Sequence, residues 1–284
     1  MLLAAIPIRT VSRRPGIRYS NADMNDSPAT RNVKLVVAYN GAAYHGWQRQ
    51  AAGIDTVQFR LEQAAGQVLG HPVTVHGAGR TDAGVHAEGQ VANLHTTNLA
   101  VPLAGMRRAV NSRLPDDIAV RSAVQVDDGF HASRSAVGKT YRYRIHVSPQ
   151  RAVMRHRQVY HYWRTLDVEA MRSAAQRLIG THDFAGFATS ADDRDNTVRT
   201  IFRCEVAEAG PEVHVTVQGN AFLYNMVRII VGTLIEVGRG RWAPGCIDRA
   251  LSSGNRAEAG PTAPPDGLTM VCVHYDRGEI APRG

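Results

Sequence analysis

The sequence predicts an α+β protein built from two related halves, and three observations support this prediction. The order strand, helix, strand occurs once between residues 33 and 75 and again after Lys139. A chain of 284 residues is long enough for two such halves. A hydrophobic content of 44% is ordinary for a globular protein. We therefore expect two α+β units of related topology rather than alternating parallel units.

The first half begins with a β-branched run over residues 33–39, which predicts a strand. Asp55 and Gln58 have the spacing of a capping box, which predicts the start of a helix. Its apolar face has helical spacing up to Gly70 and consists of Val57, Leu61, Ala64, Ala65 and Val68. A further strand is expected over residues 73–75, before a glycine-rich loop.

The second half begins with a strand over residues 141–145. A basic connection leads to a helix that is predicted to end at Gly180 and whose apolar residues are Val168, Met171, Ala174, Ala175, Leu178 and Ile179. Two strands over 202–206 and 213–217 follow, and then a long apolar helix from about residue 221 to 237. A Gly-, Pro- and Ala-rich loop precedes the last strand, residues 268–275.

These elements predict the domain organisation. We expect a flexible N-terminal tail over residues 1–31, a first subdomain over 32–134, a second over 135–276 and a C-terminal tail over 277–284. The first residues are apolar, but their arginines follow the apolar run, whereas a signal peptide carries its charge before it. No apolar run reaches the ~20 residues of a membrane span. We expect a cytoplasmic protein that does not contact membranes.

The charge of the chain favours a polyanionic partner. Lys and Arg number 33 against 25 Asp and Glu, a net charge of +8. Nucleic acid is the first candidate, although many basic proteins bind no polyanion. Three distant cysteines, without C-x-x-C or paired histidine spacing, indicate neither a zinc site nor a disulfide framework. We expect no metal and no cofactor.

Residues 77–86, with the sequence GAGRTDAGVH, predict an exposed reactive carboxylate at Asp82. Small residues on both sides allow a ligand and the backbone to approach closely. A structural aspartate in a turn is the alternative interpretation. Arg228 lies within a helix that is apolar nearly all round, so its charge needs an anion or water. We predict that it pairs with Asp82 and lowers the carboxyl pKa; a surface arginine is the alternative.

Two further segments are candidates for contact with RNA. On the strand after Lys139, this residue, Tyr141 and Tyr143 share one face, while Arg142 and Arg144 share the other. Aromatic residues beside cations can stack an unpaired base and hold its phosphates, although Tyr143 is better explained as a core residue. Residues 46–50 place Arg49 and Gln50 after Trp47, for which we expect a core position.

These residues together resemble the tRNA pseudouridine synthases of the TruA type. The segment 78–86 is similar to the active-site motif of that family and is highly specific. Supporting similarities span most of the chain and comprise residues 46–50, 130–132, 141–143, 220–228 and 267–268. Asn40 departs from the family pattern, which usually has aspartate after the strand tyrosine.

The resemblance implies a fold of two ferredoxin- or RRM-like subdomains that form a mainly antiparallel sheet, with helices on one side and a catalytic cleft between the halves. It implies that Asp82 is catalytic, that Tyr141 packs on the target base, that Arg80 lies beside the vacated base position and that Arg228 pairs with Asp82. Further candidate RNA contacts are Arg49, Gln50, His86, Lys139 and Arg142. It also implies a homodimer that isomerises uridines 38, 39 and 40 of the tRNA anticodon stem-loop.

Two other function classes remain open at this point. A glycosidase is the rival enzyme, but it normally needs a second carboxylate about 5–10 Å from the first. A non-catalytic RNA-binding module is the rival of another class. Pseudouridine formation involves no net redox change, so one carboxylate can suffice without metal, nicotinamide or ATP. Asp82 could attack the sugar, remove a sugar proton or add to the uracil ring.

Overall fold

A computed structural model describes residues 29–189 and 196–280. The first half consists of β1 (Arg31–Tyr39), α1 (Val57–Leu69), β2 (His76–Gly77), β3 (His86–Thr96), α2 (Leu103–Asn111) and β4 (Ile118–Val126). The second half consists of β5 (Gly138–Val147), β6 (Tyr160–Tyr162), α3 (Val168–Gln176), β7 (Gly180–Asp183), β8 (Val198–Ala209), β9 (Glu212–Gly219), α4 (Met226–Gly238), α5 (Cys246–Ser253) and β10 (Leu268–His274). None of the helices in these ranges combines the length and the apolar character that a bilayer crossing requires.

The ten described strands form one sheet, in which eight follow the order β4-β1-β3-β10-β5-β9-β8-β7. Of the other two, β2 pairs with β3 and β6 pairs with β5. In the first half, β4, β1, β3 and β2 are neighbours in that order and pair antiparallel. In the second half, β10, β5, β9 and β8 repeat this order with antiparallel pairing. The strand order therefore confirms two related α+β halves of the ferredoxin type. The last strand, β10, runs parallel to β3 and joins the two halves at the centre of the sheet.

Burial alternates along the strands, as expected for a sheet that helices cover on one side. In β1 the side chains of Val33, Leu35 and Val37 are fully buried, whereas Lys34 and Val36 between them are partly accessible. In β5, Tyr141, Tyr143 and Ile145 are buried in the same way. The core thus follows one face of the sheet through both halves.

The first predicted helix has its expected end but a different start. α1 ends before Gly70, which has φ 75° and so provides the left-handed cap. The N-cap, however, is Thr56, whose hydroxyl accepts from the Phe59 N–H, rather than Asp55. Asp55 is instead engaged by Arg60, whose guanidinium donates to it at 2.8 and 2.7 Å. The capping-box prediction was therefore wrong by one residue.

The strand predicted at residues 73–75 is absent, and only the two-residue β2 pairs there. Side chains of α1 take the place of a partner strand. The Val75 N–H donates to Glu62 at 3.1 Å, and its carbonyl accepts from Gln58 at 2.9 Å. The backbone groups of this segment are thus satisfied without a ladder.

Two helices are shorter than predicted. α3 ends at Gln176, because the N–H groups of residues 177–179 bond to carbonyls three residues earlier and tighten the last turn. α4 begins at Met226 rather than near residue 221, because Asn225 has φ 61° and interrupts the helix.

The ends of the chain also differ from the expected tails. β1 begins at Arg31, whose guanidinium donates to the carbonyls of Asn98 and Val101. Residues 1–28 and 281–284 of the predicted tails lie outside the described residues. Within the C-terminal tail, Ile280 is buried and Glu279 contacts His274 at 3.1 Å. The folded part therefore extends beyond residue 276.

Candidate active site

A cleft of about 780 Å³ lies between the two halves. The first half contributes residues 78–83 of the glycine-rich loop and the segment after β1. The second half contributes Lys139 and Tyr141 from β5 and residues 222–228 at the start of α4. Both segments that the sequence singles out therefore line one cavity.

The loop that carries Asp82 is anchored on both sides by the first half. The Trp47 N–H donates to the Thr81 carbonyl at 3.0 Å, and the Tyr39 and Thr81 hydroxyls lie 2.8 Å apart. Gln90 donates to the Gly79 carbonyl at 2.8 Å. Trp47 is buried, which confirms its predicted core position. These contacts fix the backbone on which Asp82 is presented.

Two glycines in the segment after β1 allow this segment to pack closely against the Asp82 loop. A Cβ atom on Gly41 would lie 2.0 Å from the Val85 carbonyl oxygen. A Cβ atom on Gly46, which has φ 89°, would lie 2.6 Å from the Thr81 carbonyl oxygen. Neither position accepts a side chain without displacement of the Asp82 loop.

The predicted contact between Asp82 and Arg228 is present. Arg228 Nη1 donates to Asp82 Oδ2 at 3.3 Å, and the two side chains are 16% and 24% exposed. Arg228 lies in the first turn of α4 rather than in its middle. Its other donations are to the Ala263 carbonyl from Nε and to Asn225 Oδ1 from Nη1, both at 2.7 Å. The guanidinium is thus bound to three acceptors.

The pKa of Asp82 is shifted in the direction opposite to the one expected. Burial raises the pKa of this carboxyl above its ordinary value, and the opposing effect of the Arg228 charge and hydrogen bond is smaller. The predicted lowering was therefore wrong, because desolvation outweighs the ion pair. A poorly solvated carboxylate beside one cation is a more basic and more nucleophilic group than an exposed one.

Tyr141 lines the cleft close to Asp82. It is 8% exposed, and its ring contacts that of Phe222 edge-on with 5.1 Å between centroids. Burial and the nearby Asp82 charge raise its pKa, so the hydroxyl is protonated at neutral pH. Tyr143 is fully buried and donates to the Pro264 carbonyl at 2.8 Å, which confirms its core role.

Charge in the cleft is unevenly distributed. Arg80, Lys139 and Arg228 line it, and Arg80 is exposed. Asp82 is the only carboxylate among the described residues that line it. A glycosidase mechanism would need a second acid here, so the cleft does not favour that rival. Nowhere in residues 29–189 and 196–280 do three His, Cys, Asp or Glu side chains cluster as a metal site requires.

Of the remaining candidate RNA contacts, some line the cleft and others lie outside it. Gln50 lines the cleft and donates to the His45 carbonyl at 2.9 Å. Arg49 is exposed outside the cleft lining, and its guanidinium lies 3.2 Å from Glu62. Arg142 also lies outside the lining, because it alternates with Tyr141 and points to the opposite face of the sheet.

His86 is largely buried and joins two segments of this fold, and its contact with RNA stays a prediction. It is 7% exposed, and its Nδ1 accepts from the Gly41 N–H at 3.0 Å. Its Nε2 lies 3.1 Å from the Asp266 carbonyl oxygen, to which it donates. Burial lowers the pKa of His86, so the ring is neutral and ties the two halves together.

Sequence reasoning assigned no site role to several residues that line the cleft, among them Phe222, Tyr224 and Asn225. The prediction of a continuous helix from about residue 221 placed them within a buried helix. The signal that could have found them is the asparagine, because Asn is one of the few residues other than Gly that adopt positive φ.

Comparison with known proteins decides the family. A sequence model of tRNA pseudouridine synthases matches residues 35–133 and 174–276, more than half of the chain. The chain belongs to the tRNA pseudouridine synthase family. Two relatives named tRNA pseudouridine synthase A come from Syntrophotalea carbinolica and Acetivibrio thermocellus. The first is 46% identical over 243 residues, covering 86% of this chain and 96% of the relative. The second is 46% identical over 246 residues, covering 86% and 100%.

Members of this family are isomerases of uridine in RNA.

A third relative, the tRNA pseudouridine synthase A of Exiguobacterium sp., is 45% identical over 251 residues, covering 87% of this chain and 99% of the relative. Among solved structures, the archaeal box H/ACA sRNP Nop10-Cbf5 complex aligns with a TM-score of 0.32 and 12% identity. That alignment covers 72% of this chain and 43% of the other.

Proposed function

We propose that this pseudouridine synthase acts on uridine in tRNA and that Asp82 is its catalytic carboxylate. One observation carries this proposal: Asp82 is the only carboxylate among the described residues of the cleft, and Arg228 and Tyr141 converge on it. The loop contacts fix its position, and its partial burial limits competition from water.

The reaction places simple demands on such a site. The bond between N1 and the sugar C1′ breaks, uracil turns, and C5 forms a bond to C1′ while its hydrogen leaves as a proton and N1 gains one. No electron is gained or lost overall. Asp82 can attack C1′, remove a sugar proton or add to the uracil ring, and each route needs the ionised carboxylate that Arg228 favours.

The geometry also suits a nucleotide that has left its helix. A stacked base must be flipped into the cleft at a cost of a few kcal/mol. The ring of Tyr141 offers an apolar contact for the base, and Arg80 and Lys139 lie where phosphates can be bound. We propose that the substrate is the anticodon stem-loop with uridines 38, 39 and 40, and that the enzyme is a cytoplasmic homodimer, as the family resemblance implies.

Tritium release from [5-³H]uridine in tRNA tests this proposal. The D82N variant should release no tritium while it binds tRNA with nearly unchanged affinity, because the amide keeps the shape and loses the basic oxygen. D116N, in which an exposed aspartate outside the cleft loses the same charge, should react like the wild type. Substantial turnover by D82N contradicts the assignment.

The same assay tests the choice of substrate. Anticodon stem-loop RNAs in which uridines 38, 39 and 40 are replaced by cytidine one at a time should each lose the tritium released from the replaced position. Release from an RNA with cytidine at all three positions would show that the target lies elsewhere. Light scattering of the full chain measures whether it is a dimer.

A further inference from the structure

Asn225 has an unusual backbone for its place in the fold. It is one of two described residues other than glycine with positive φ, at φ 61° and ψ 2°. It occupies the N-cap of α4, where an asparagine side chain usually accepts from a backbone N–H of the first turn. Here the side chain makes no such hydrogen bond. The asparagine at this position is therefore not explained by capping.

Its side chain contacts Arg228 instead. Asn225 Oδ1 accepts from Arg228 Nη1 at 2.7 Å, and the same nitrogen donates to Asp82 Oδ2 at 3.3 Å. Arg228 Nε donates to the Ala263 carbonyl at 2.7 Å. The two shorter hydrogen bonds of the guanidinium are thus to neutral acceptors, Ala263 and Asn225, and its longer hydrogen bond is to Asp82.

We infer that Asn225 is a positioning residue, whose left-handed backbone and neutral amide oxygen hold Arg228 so that one Nη1 proton remains directed at Asp82. This inference rests on the proposed role of Asp82. The acceptor has to be uncharged, since a carboxylate at position 225 would compete with Asp82 for the same guanidinium.

The charged and titratable groups around Asp82 make this competition measurable. They are Arg228 on α4, Tyr224 just before α4, Lys139 and Tyr141 on β5, Arg80 on the loop of Asp82 itself and His45 in the segment after β1. Asp82 is the only acid in this set. An aspartate at position 225 would add a second negative charge on Arg228 and raise the pKa of Asp82.

The N225D variant tests this inference through the pH dependence of kcat for tritium release. We expect the midpoint of the low-pH limb to move up by about one pH unit, because a neighbouring carboxylate disfavours ionised Asp82. N220D is the matched control. Asn220 lies in the same connection, and its Oδ1 accepts from the N–H groups of Thr200 and Ala221 rather than from Arg228. The same shift in N220D, or no shift in N225D, overturns the inference.

N225G is a second test that does not depend on the charge. Glycine accepts the left-handed backbone, so the fold of the turn is retained while the amide is lost. We expect kcat to fall by roughly 10-fold or more, as for one lost hydrogen bond to a charged group. Wild-type kcat with a wild-type pH profile in N225G contradicts a positioning role.

D82N, measured in the same experiment, separates this inference from the proposed function. If D82N retains turnover, the proposed function fails. If D82N is inactive while N225D and N225G both behave as the wild type, only the role of Asn225 fails.

Discussion

Arg228 and Asp82 lie 3.3 Å apart, although Arg228 belongs to the second half of the chain and Asp82 to the first. The contact exists because β10, the last strand of the second half, pairs with β3 of the first and brings the start of α4 to the Asp82 loop. His86 strengthens the same junction through Gly41 and Asp266. Assembly of the proposed site is therefore coupled to the docking of the two halves.

Removal of the Arg228 charge should move the pH dependence of the reaction. In R228Q, burial of Asp82 is no longer opposed by a cation, so the carboxyl pKa rises further and the low-pH limb of kcat moves to higher pH. Activity should therefore fall more at pH 6 than at pH 8. R228K, which keeps the charge, should shift the limb less than R228Q does.

R113Q is the control for this experiment. Arg113 is exposed just after α2 and donates to the Ala109 carbonyl. Its replacement by glutamine therefore removes the same charge as R228Q does without affecting the cleft. An R228Q profile that coincides with the wild-type profile would mean that Arg228 does not influence the ionisation of Asp82.

Tyr141 should act through its ring more than through its hydroxyl in substrate binding. Y141F keeps the face and the edge contact with Phe222, so KM for the stem-loop should stay within about twofold of wild type. Y141A removes the ring, and since stacking of one base contributes about 1–3 kcal/mol, KM should rise by roughly tenfold or more.

Truncation of a buried tyrosine also destabilises the core, and Y160A controls for this effect. Tyr160 contacts Tyr143 edge-on with 6.3 Å between centroids and lies outside the cleft lining. Y160A should lower the melting temperature without raising KM. Equal KM values for Y141F and Y141A would argue against stacking on this ring.

The sequence was most informative where one residue type has few alternatives. Gly70 ends α1 in the left-handed conformation, and the apolar run of β1 has a buried face, as expected. The contact between Asp82 and Arg228 was predictable because an arginine in an apolar helix needs an anion. The direction of the Asp82 pKa shift was not predictable, because the balance between desolvation and ion pairing depends on burial that only the fold defines.

Contacts between elements explain the remaining differences. Residues 73–75 have strand propensity, yet Glu62 and Gln58 on α1 satisfy the backbone of Val75. His86 follows the loop motif, and its burial between Gly41 and Asp266, which are distant in sequence, is a tertiary contact that the motif does not indicate. Arg142 lies on the face of β5 opposite Tyr141, as strand alternation predicts, and its contact with RNA stays a prediction.

Replacement of Asp82 by asparagine should stabilise the folded protein at neutral pH while it abolishes activity. The pKa of Asp82 is higher in the folded than in the unfolded protein, so the folded state favours the protonated carboxyl. The stability that Asp82 contributes in this form is complete below the unfolded pKa and is lost as pH rises through the folded pKa. The amide of D82N does not ionise, and Arg228 retains Ala263 and Asn225 as acceptors. Urea denaturation at pH 7.5 should thus show a larger unfolding free energy for D82N than for wild type, and the difference should shrink toward pH 4. A D82N protein that is less stable than wild type at pH 7.5 would show that the ion pair outweighs the burial of the charge.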